Sequence, residues 1–311
     1  MDKNVKLLLQ SVCSADIRKA QNYARIVLDS LNSEKDRVFK AELLRMLDAQ
    51  KSPFTELPPS VKSLINVEDT SIFPNERFLL RGTEEKAVNE TLKTYKASKK
   101  LSEIGIPYLP ALLLHGSSGC GKTTLARYIA HKAELPFCCV RFSNLVCSHL
   151  GETQSNLAKI FDFIRSNPCV LCFDELDAIG LKRGQMQDVG EMNRIVIAIM
   201  QELDSVPKNV IIIGTTNRFA DIDPALARRF PIQYELQPLT FDDAKCLAHK
   251  FLTSVDIAAA PWTTSPYWID TWGSFTLWEG IPASQVIKKC TDLIVDQIIL
   301  QLDKENTDEN S

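Results

Sequence analysis

The sequence has 311 residues, a net charge of −3, 45% hydrophobic and 24% charged residues, a balance that fits a water-soluble globular protein with ample core. The slight acidity argues against bulk binding to nucleic acid, which needs a basic face to displace counterions. No apolar run is long enough to cross a bilayer, and nine cysteines without framework spacing fit reduced thiols better than a disulfide scaffold.

The start, MDKNVKLLLQSVCSAD, has only a short apolar patch before Asp16, so no cleavable export signal is expected and the expected address is the cytoplasm. Ile17, Ala20, Ala24, Val27, Leu28 and Leu31 recur at helical spacing, as do Phe39, Leu43, Met46 and Leu47, which predicts a helical hairpin over residues 1–50. The Pro- and Ser-rich KSPFTELPPS opens a linker over 51–71. A charged helix follows at 84–103, with Lys93, Lys96, Lys99 and Lys100 on a solvated face.

From there strands and helices alternate. Strands are expected at 111–115, 137–142, 169–173 and 209–215, and helices at 122–133, 153–166 and 190–203. Runs such as VLCF and VIIIG are continuously apolar, as parallel strands covered on both faces should be. The pattern predicts an α/β sheet with ligands at the carboxyl ends of its strands. Cys169 and Cys172 form a CxxC inside one such strand, where residues three apart point to opposite faces and cannot share a metal ion.

Residues 239–302 change character. Helices at 241–252 and from about Ala283 to Leu302 predict a small helical domain. All four tryptophans (Trp262, Trp268, Trp272, Trp278) fall in this region, as a local aromatic core or a partner-docking surface. The polar tail 303–311 is expected to be unstructured.

Four motifs carry chemistry. Gly116-Ser117-Ser118-Gly119-Cys120-Gly121-Lys122-Thr123, followed by Thr124, is a phosphate loop between a buried strand and a helix. Its glycines let backbone N–H groups face phosphates, Lys122 reaches the β- and γ-phosphates, and Thr123 holds Mg²⁺. Val170-Leu-Cys-Phe-Asp174-Glu175 delivers two carboxylates to a strand end. Asp174 completes the Mg²⁺ site there and Glu175 polarises the attacking water. Asn217 ends a third strand and suits a sensor of γ-phosphate and water, although Asn is also a common turn residue. Arg228 and Arg229 stand where an arginine finger would stabilise charge on a neighbour's nucleotide.

In this order and spacing, the motifs resemble those of the AAA ATPases, the AAA subgroup of the AAA+ P-loop proteins. The resemblance covers about residues 72–300. It implies an α/β fold: a P-loop parallel-sheet nucleotide domain with helices on both faces over 72–238, then a small α-helical lid over 239–302. It also implies Mg-dependent hydrolysis of ATP and assembly as a homo-oligomer, a hexamer in most relatives. Gly280-Ile-Pro-Ala283-Ser284 resembles the lid motif that meets the adenine. In Ser148-His149-Leu150-Gly151-Glu152-Thr153, His149 and Leu150 take the place of the loop that grips substrate in a central pore, with His149 standing where relatives carry an aromatic residue. The implied function is remodelling, unfolding or disassembly of a protein substrate. The alternative is an ATP-dependent switch that docks a partner effector, such as a peptidase, nuclease or defence protein, without threading. Neither a nucleic-acid nor a membrane partner is expected.

Overall fold

In the computed structural model the described residues are 57–106, 108–145, 152–178, 189–206, 209–255, 280 and 282–308, with scattered helical positions between Val5 and Leu43. The chain divides into two units, Met1–Leu57 and Pro58–Ser311. In the first, the described positions between Val5 and Leu43, including the buried Leu28, are helical; the expected hairpin as a whole lies outside the described residues. So do His149, Leu150 and the tryptophan-bearing segment.

The second unit begins with a short helix α1 (Pro59–Lys62), an edge strand β1 (Ile65–Glu68) and a long helix α2 (Gly82–Glu103). There follow β2 (Ala111–His115), α3 (Lys122–Ala133), β3 (Phe137–Val140), α4 (Phe142–Leu145), α5 (Glu152–Ser166) and β4 (Val170–Phe173). The remainder is α6 (Val189–Leu203), β5 (Ile211–Thr216), α7 (Pro224–Ala227), β6 (Ile232–Glu235), α8 (Phe241–Thr253) and α9 (Ala283–Asp308). The six strands lie in the order β1-β3-β4-β5-β2-β6. All neighbours are parallel except β1, which pairs antiparallel with β3.

β4 and β5 are buried along their whole length because helices cover both faces. On one face Leu112, Leu114, Val170, Cys172, Ile211 and Ile213 meet Leu125 and Ile129 of α3 and Val88 of α2. On the other, Phe173 stacks on Phe161 of α5 with ring centres 6.2 Å apart. Each such aliphatic or aromatic side chain contributes on the order of 1.5–3 kcal/mol by leaving water. The exposed side of α2 carries Lys93, Lys96 and Lys100, while Thr91 and Ser98 are buried on its inner side.

Two strands escape the sequence patterns. β1 and α1 fall inside the stretch expected to be a linker, and β6 has only Ile232 buried among its four residues. The Glu68 carboxylate accepts from Arg127 Nε at 2.6 Å, joining β1 to α3, and the Tyr234 hydroxyl donates to Glu90 of α2 at 2.7 Å, covering the edge at β6. The Cys169–Cys172 pair is divided as expected for a strand. Cys172 faces Cys139 in the ladder, whereas Cys169 meets Cys138, whose side chain points the other way.

α8 starts with a capping box, Thr240 and Asp243 each bonding the other's backbone N–H. Its Leu247, Ala248 and Leu252 pack on Val286 and Cys290 of α9. α9 runs past Leu302 to Asp308, into the stretch expected to be unstructured. Among the described residues no helix is long and apolar enough to cross a membrane.

Gly214 sits where β5 passes under three buried side chains. A Cβ there would collide with Leu176 and crowd Leu113 at 3.0 Å and Phe230 at 3.1 Å. Gly214→Ala is therefore expected to lower stability by about 1–3 kcal/mol through overpacking. A chemical denaturation midpoint equal to the parent's would contradict this.

Candidate active site

The parallel strands β2, β4 and β5 end on one edge of the sheet, and each delivers a motif there. After His115 the chain turns at Gly116, whose backbone φ is +138°. A Cβ at Gly116 would collide with the carbonyl oxygen of Leu236, and the Leu236 N–H donates to His115 O at 2.7 Å. Only glycine lets the loop lie this close to the chain leaving β6. At Gly119, φ +79°, a Cβ would collide with Ser284 Oγ, and the Ser284 N–H donates to Gly119 O at 3.2 Å. Gly121 precedes α3 in a left-handed conformation with no side-chain cap, so the first N–H groups of α3 are left for a ligand.

Lys122 is buried, and its Nζ donates to Gly116 O at 2.9 Å, Ser117 O at 2.8 Å and Asn217 Oδ1 at 2.8 Å. Thr123 Oγ1 donates to Asp174 Oδ1 at 2.9 Å, joining α3 to the end of β4. The Thr215 hydroxyl donates to the same oxygen at 2.5 Å. Glu175 is exposed, has φ +56°, and donates its N–H to Thr215 Oγ1 at 3.0 Å. Asp177 accepts from Thr216 Oγ1 at 2.8 Å and from the Asn217 N–H at 3.2 Å.

These groups surround a cavity of about 290 Å³. Ser118, Gly119, Gly121, Lys122, Thr123, Thr124, Asp174, Glu175, Asn217 and Ala283 all line it. Gly116, Ser117 and Cys120 are not among the lining residues, and the Ser117 hydroxyl lies 2.9 Å from the buried Cys120 thiol. Phe78, Leu79, Leu239, Leu247 and Ile287 give the cavity an apolar lining as well, as a flat heterocycle requires. Arg81 also lines the cavity and ties it to the chain entering α8. It donates to Pro238 O at 3.0 Å, Gln237 O at 2.8 Å and Glu84 Oε1 at 2.8 Å, and lies 3.7 Å from Asp243.

Arg228 and Arg229 are elsewhere, on a second cavity bordered by Leu203, Asp204 and Pro231. Asp223 caps α7 by accepting from Ala225 N–H at 2.7 Å, which fixes the turn that carries them. Arg229 is held by Asp204 at 3.3 Å, whereas Arg228 is exposed and bonds no side chain among the described residues.

A sequence model described as "ATPase family associated with various cellular activities (AAA)" matches residues 112–238, which hold the phosphate loop, the two acids, Asn217 and both arginines. Residues 112–238 are an AAA ATPase domain. The two relatives described next are both named as ATPases. An uncharacterised AAA family ATPase, y4kL, of Sinorhizobium fredii is 28% identical over 216 residues, 67% of this chain and 66% of that protein. The peroxisomal ATPase pex6 of Schizosaccharomyces pombe is 37% identical over 147 residues, 45% of this chain and 16% of that protein. The chain thus spans just under two thirds of the first relative and a small part of the second.

The residues present fit the groups that an AAA ATPase domain uses. Gly121 faces open space where a side chain would stand, and the Thr123 hydroxyl and Asp174 carboxylate are adjacent hard oxygen donors of the kind Mg²⁺ takes. Thr215, Asp177 and Arg81 are the neighbours that sequence motifs do not reveal. Thr215 reads only as a strand former, and Arg81 only as a charge beside a helix start.

Burial pushes the Lys122 ammonium below the ordinary lysine value of 10.5, with Cys120, Asp174, Asp177 and Glu175 opposing the shift. Phosphate favours the protonated form, so ATP affinity should fall as pH rises through the Lys122 value, beginning below 10.5. In Lys122→Arg, whose guanidinium stays charged, whatever affinity remains should lack that alkaline limb. Equilibrium binding from about pH 7 to about pH 10 tests this, and a limb of equal size in both proteins would contradict it.

Proposed function

We propose that this chain couples ATP hydrolysis to the remodelling, unfolding or disassembly of a protein substrate, acting in the cytoplasm as a ring, a hexamer by family resemblance. One observation carries the reading. The cavity gathers Lys122, Asp174, Glu175 and Asn217, while Arg228 and Arg229 stand on a different surface of the same chain. An arginine that serves a nucleotide from that surface serves the nucleotide of a neighbouring copy. Arg228 suits the role, because Arg229 is already engaged by Asp204.

In this reading the loop's N–H groups receive the phosphates, and Lys122 exchanges the oxygens of Gly116, Ser117 and Asn217 for phosphate oxygens. The freed Asn217 amide orients the attacking water. Glu175 takes a proton from that water as its oxygen bonds to the γ-phosphorus and the bond to the β-phosphate oxygen breaks. Thr123 and Asp174 would hold Mg²⁺, which supplies positive charge against the phosphate oxygens. Ala283, at the start of α9, meets the adenine, so nucleotide exchange changes what the lid rests on. The segment bearing His149 and Leu150 passes the motion to the substrate.

Glu175→Gln and Arg228→Ala should each retain ATP while turnover falls by about 10²-fold or more. Mixing the two inactive proteins should restore turnover, because some interfaces then pair an intact Glu175 with an intact Arg228. No recovery at any mixing ratio would remove the shared site. For the remodelling step, unfolded casein should stimulate turnover of the parent and not of His149→Ala. Equal stimulation of both would take His149 out of substrate handling, and no stimulation of either would favour the switch over the motor.

A further inference from the structure

Among the described residues, two besides glycine have left-handed backbone, Glu134 and Glu175. Glu134 ends α3, where such a conformation is ordinary. Glu175 immediately follows Asp174 and has no such helix-end explanation. Its backbone conformation is uncommon for a residue with a side chain, so something must hold it.

We propose that Thr215 is the positioning residue for hydrolysis, its one hydroxyl fixing the Asp174 carboxylate and the Glu175 backbone relative to each other. The hydroxyl donates to Asp174 Oδ1 at 2.5 Å and accepts the Glu175 N–H at 3.0 Å. A hydroxyl has one donor and two acceptor sites, so one group serves both neighbours at once. Thr215 is 1% exposed, so water does not compete for either bond. It is held in turn by the β2–β5 ladder, where it pairs with Leu114, next to the His115 that leads into the phosphate loop.

The next residues of β5 repeat the arrangement. Thr216 Oγ1 and the Asn217 N–H both donate to Asp177. The acidic stretch after β4 is thus hung from the end of β5 at two places, and Thr215 makes the attachment nearest the reacting groups. Valine matches the shape of threonine but offers neither bond; serine keeps both and loses only a methyl group.

The inference rests on the roles proposed above for Asp174 and Glu175, and the test separates the two. Steady-state turnover, KM for ATP and the Mg²⁺ concentration for half-maximal rate are measured for the parent, Thr215→Val, Thr215→Ser and Glu175→Gln. Thr215→Val should lower kcat about 10²-fold, as a slight misplacement of reacting groups does, with KM within about threefold of the parent. It should also need more Mg²⁺, because Asp174 loses a partner. Thr215→Ser should stay within about threefold of the parent in kcat, since it keeps the hydroxyl. Parent-like kcat in Thr215→Val alongside a slow Glu175→Gln would overturn this inference alone, and parent-like turnover in Glu175→Gln would overturn the reading beneath it. Thr215→Ser as slow as Thr215→Val would assign the effect to the lost methyl and overturn the proposal. If Thr215→Val does not fold, Thr215→Ala against Thr215→Ser decides in the same way.

Discussion

The ammonium group of Lys122 is the interaction on which the site depends. It is buried at the end of a parallel sheet, and a charge there must be met by oxygens. Two elements supply three oxygens: the loop through Gly116 and Ser117, and the end of β5 through Asn217. The cation therefore holds the loop against the sheet. The same bonds are ones a phosphate can replace without leaving the charge unpaired.

Around that cation the acids are arranged by strand ends rather than by their own loop. Asp174 receives hydroxyls from α3 and β5, and Asp177 receives a hydroxyl and an N–H from β5. The sheet's parallel order makes this possible, since β4, β5 and β2 are consecutive neighbours and end together. Shifting any one of them along its neighbours would separate the acids from the lysine.

The sequence made the buried part of this architecture readable and left the edges obscure. β2, β4 and β5 announce themselves as unbroken apolar runs because both faces are covered. β1 and β6 are edge strands of four residues, partly exposed, and INVE and IQYE carry little more signal than a loop. The phosphate loop and acid pair are legible because their spacing is set by the ligand. Thr215 and Arg81 are not, since their value lies in neighbours distant along the chain. Likewise, nothing in the adjacent letters of Arg228 and Arg229 says that Asp204 engages one and leaves the other exposed.

The contact between Gly119 and Ser284 has a bearing on motion. α9 touches the phosphate loop there through one main-chain hydrogen bond of 3.2 Å, across a spot with no side chain on the loop. Such a bond is worth about 0.5–1.5 kcal/mol net, within reach of thermal agitation. The chain entering α8 is anchored more firmly, by the bonds of Arg81 to Gln237 and Pro238 and its ion pair with Asp243. Held firmly beside α8 and lightly at the start of α9, the helical pair has unequal grips on the sheet, so a small change in what occupies the crevice bears first on the weaker of the two.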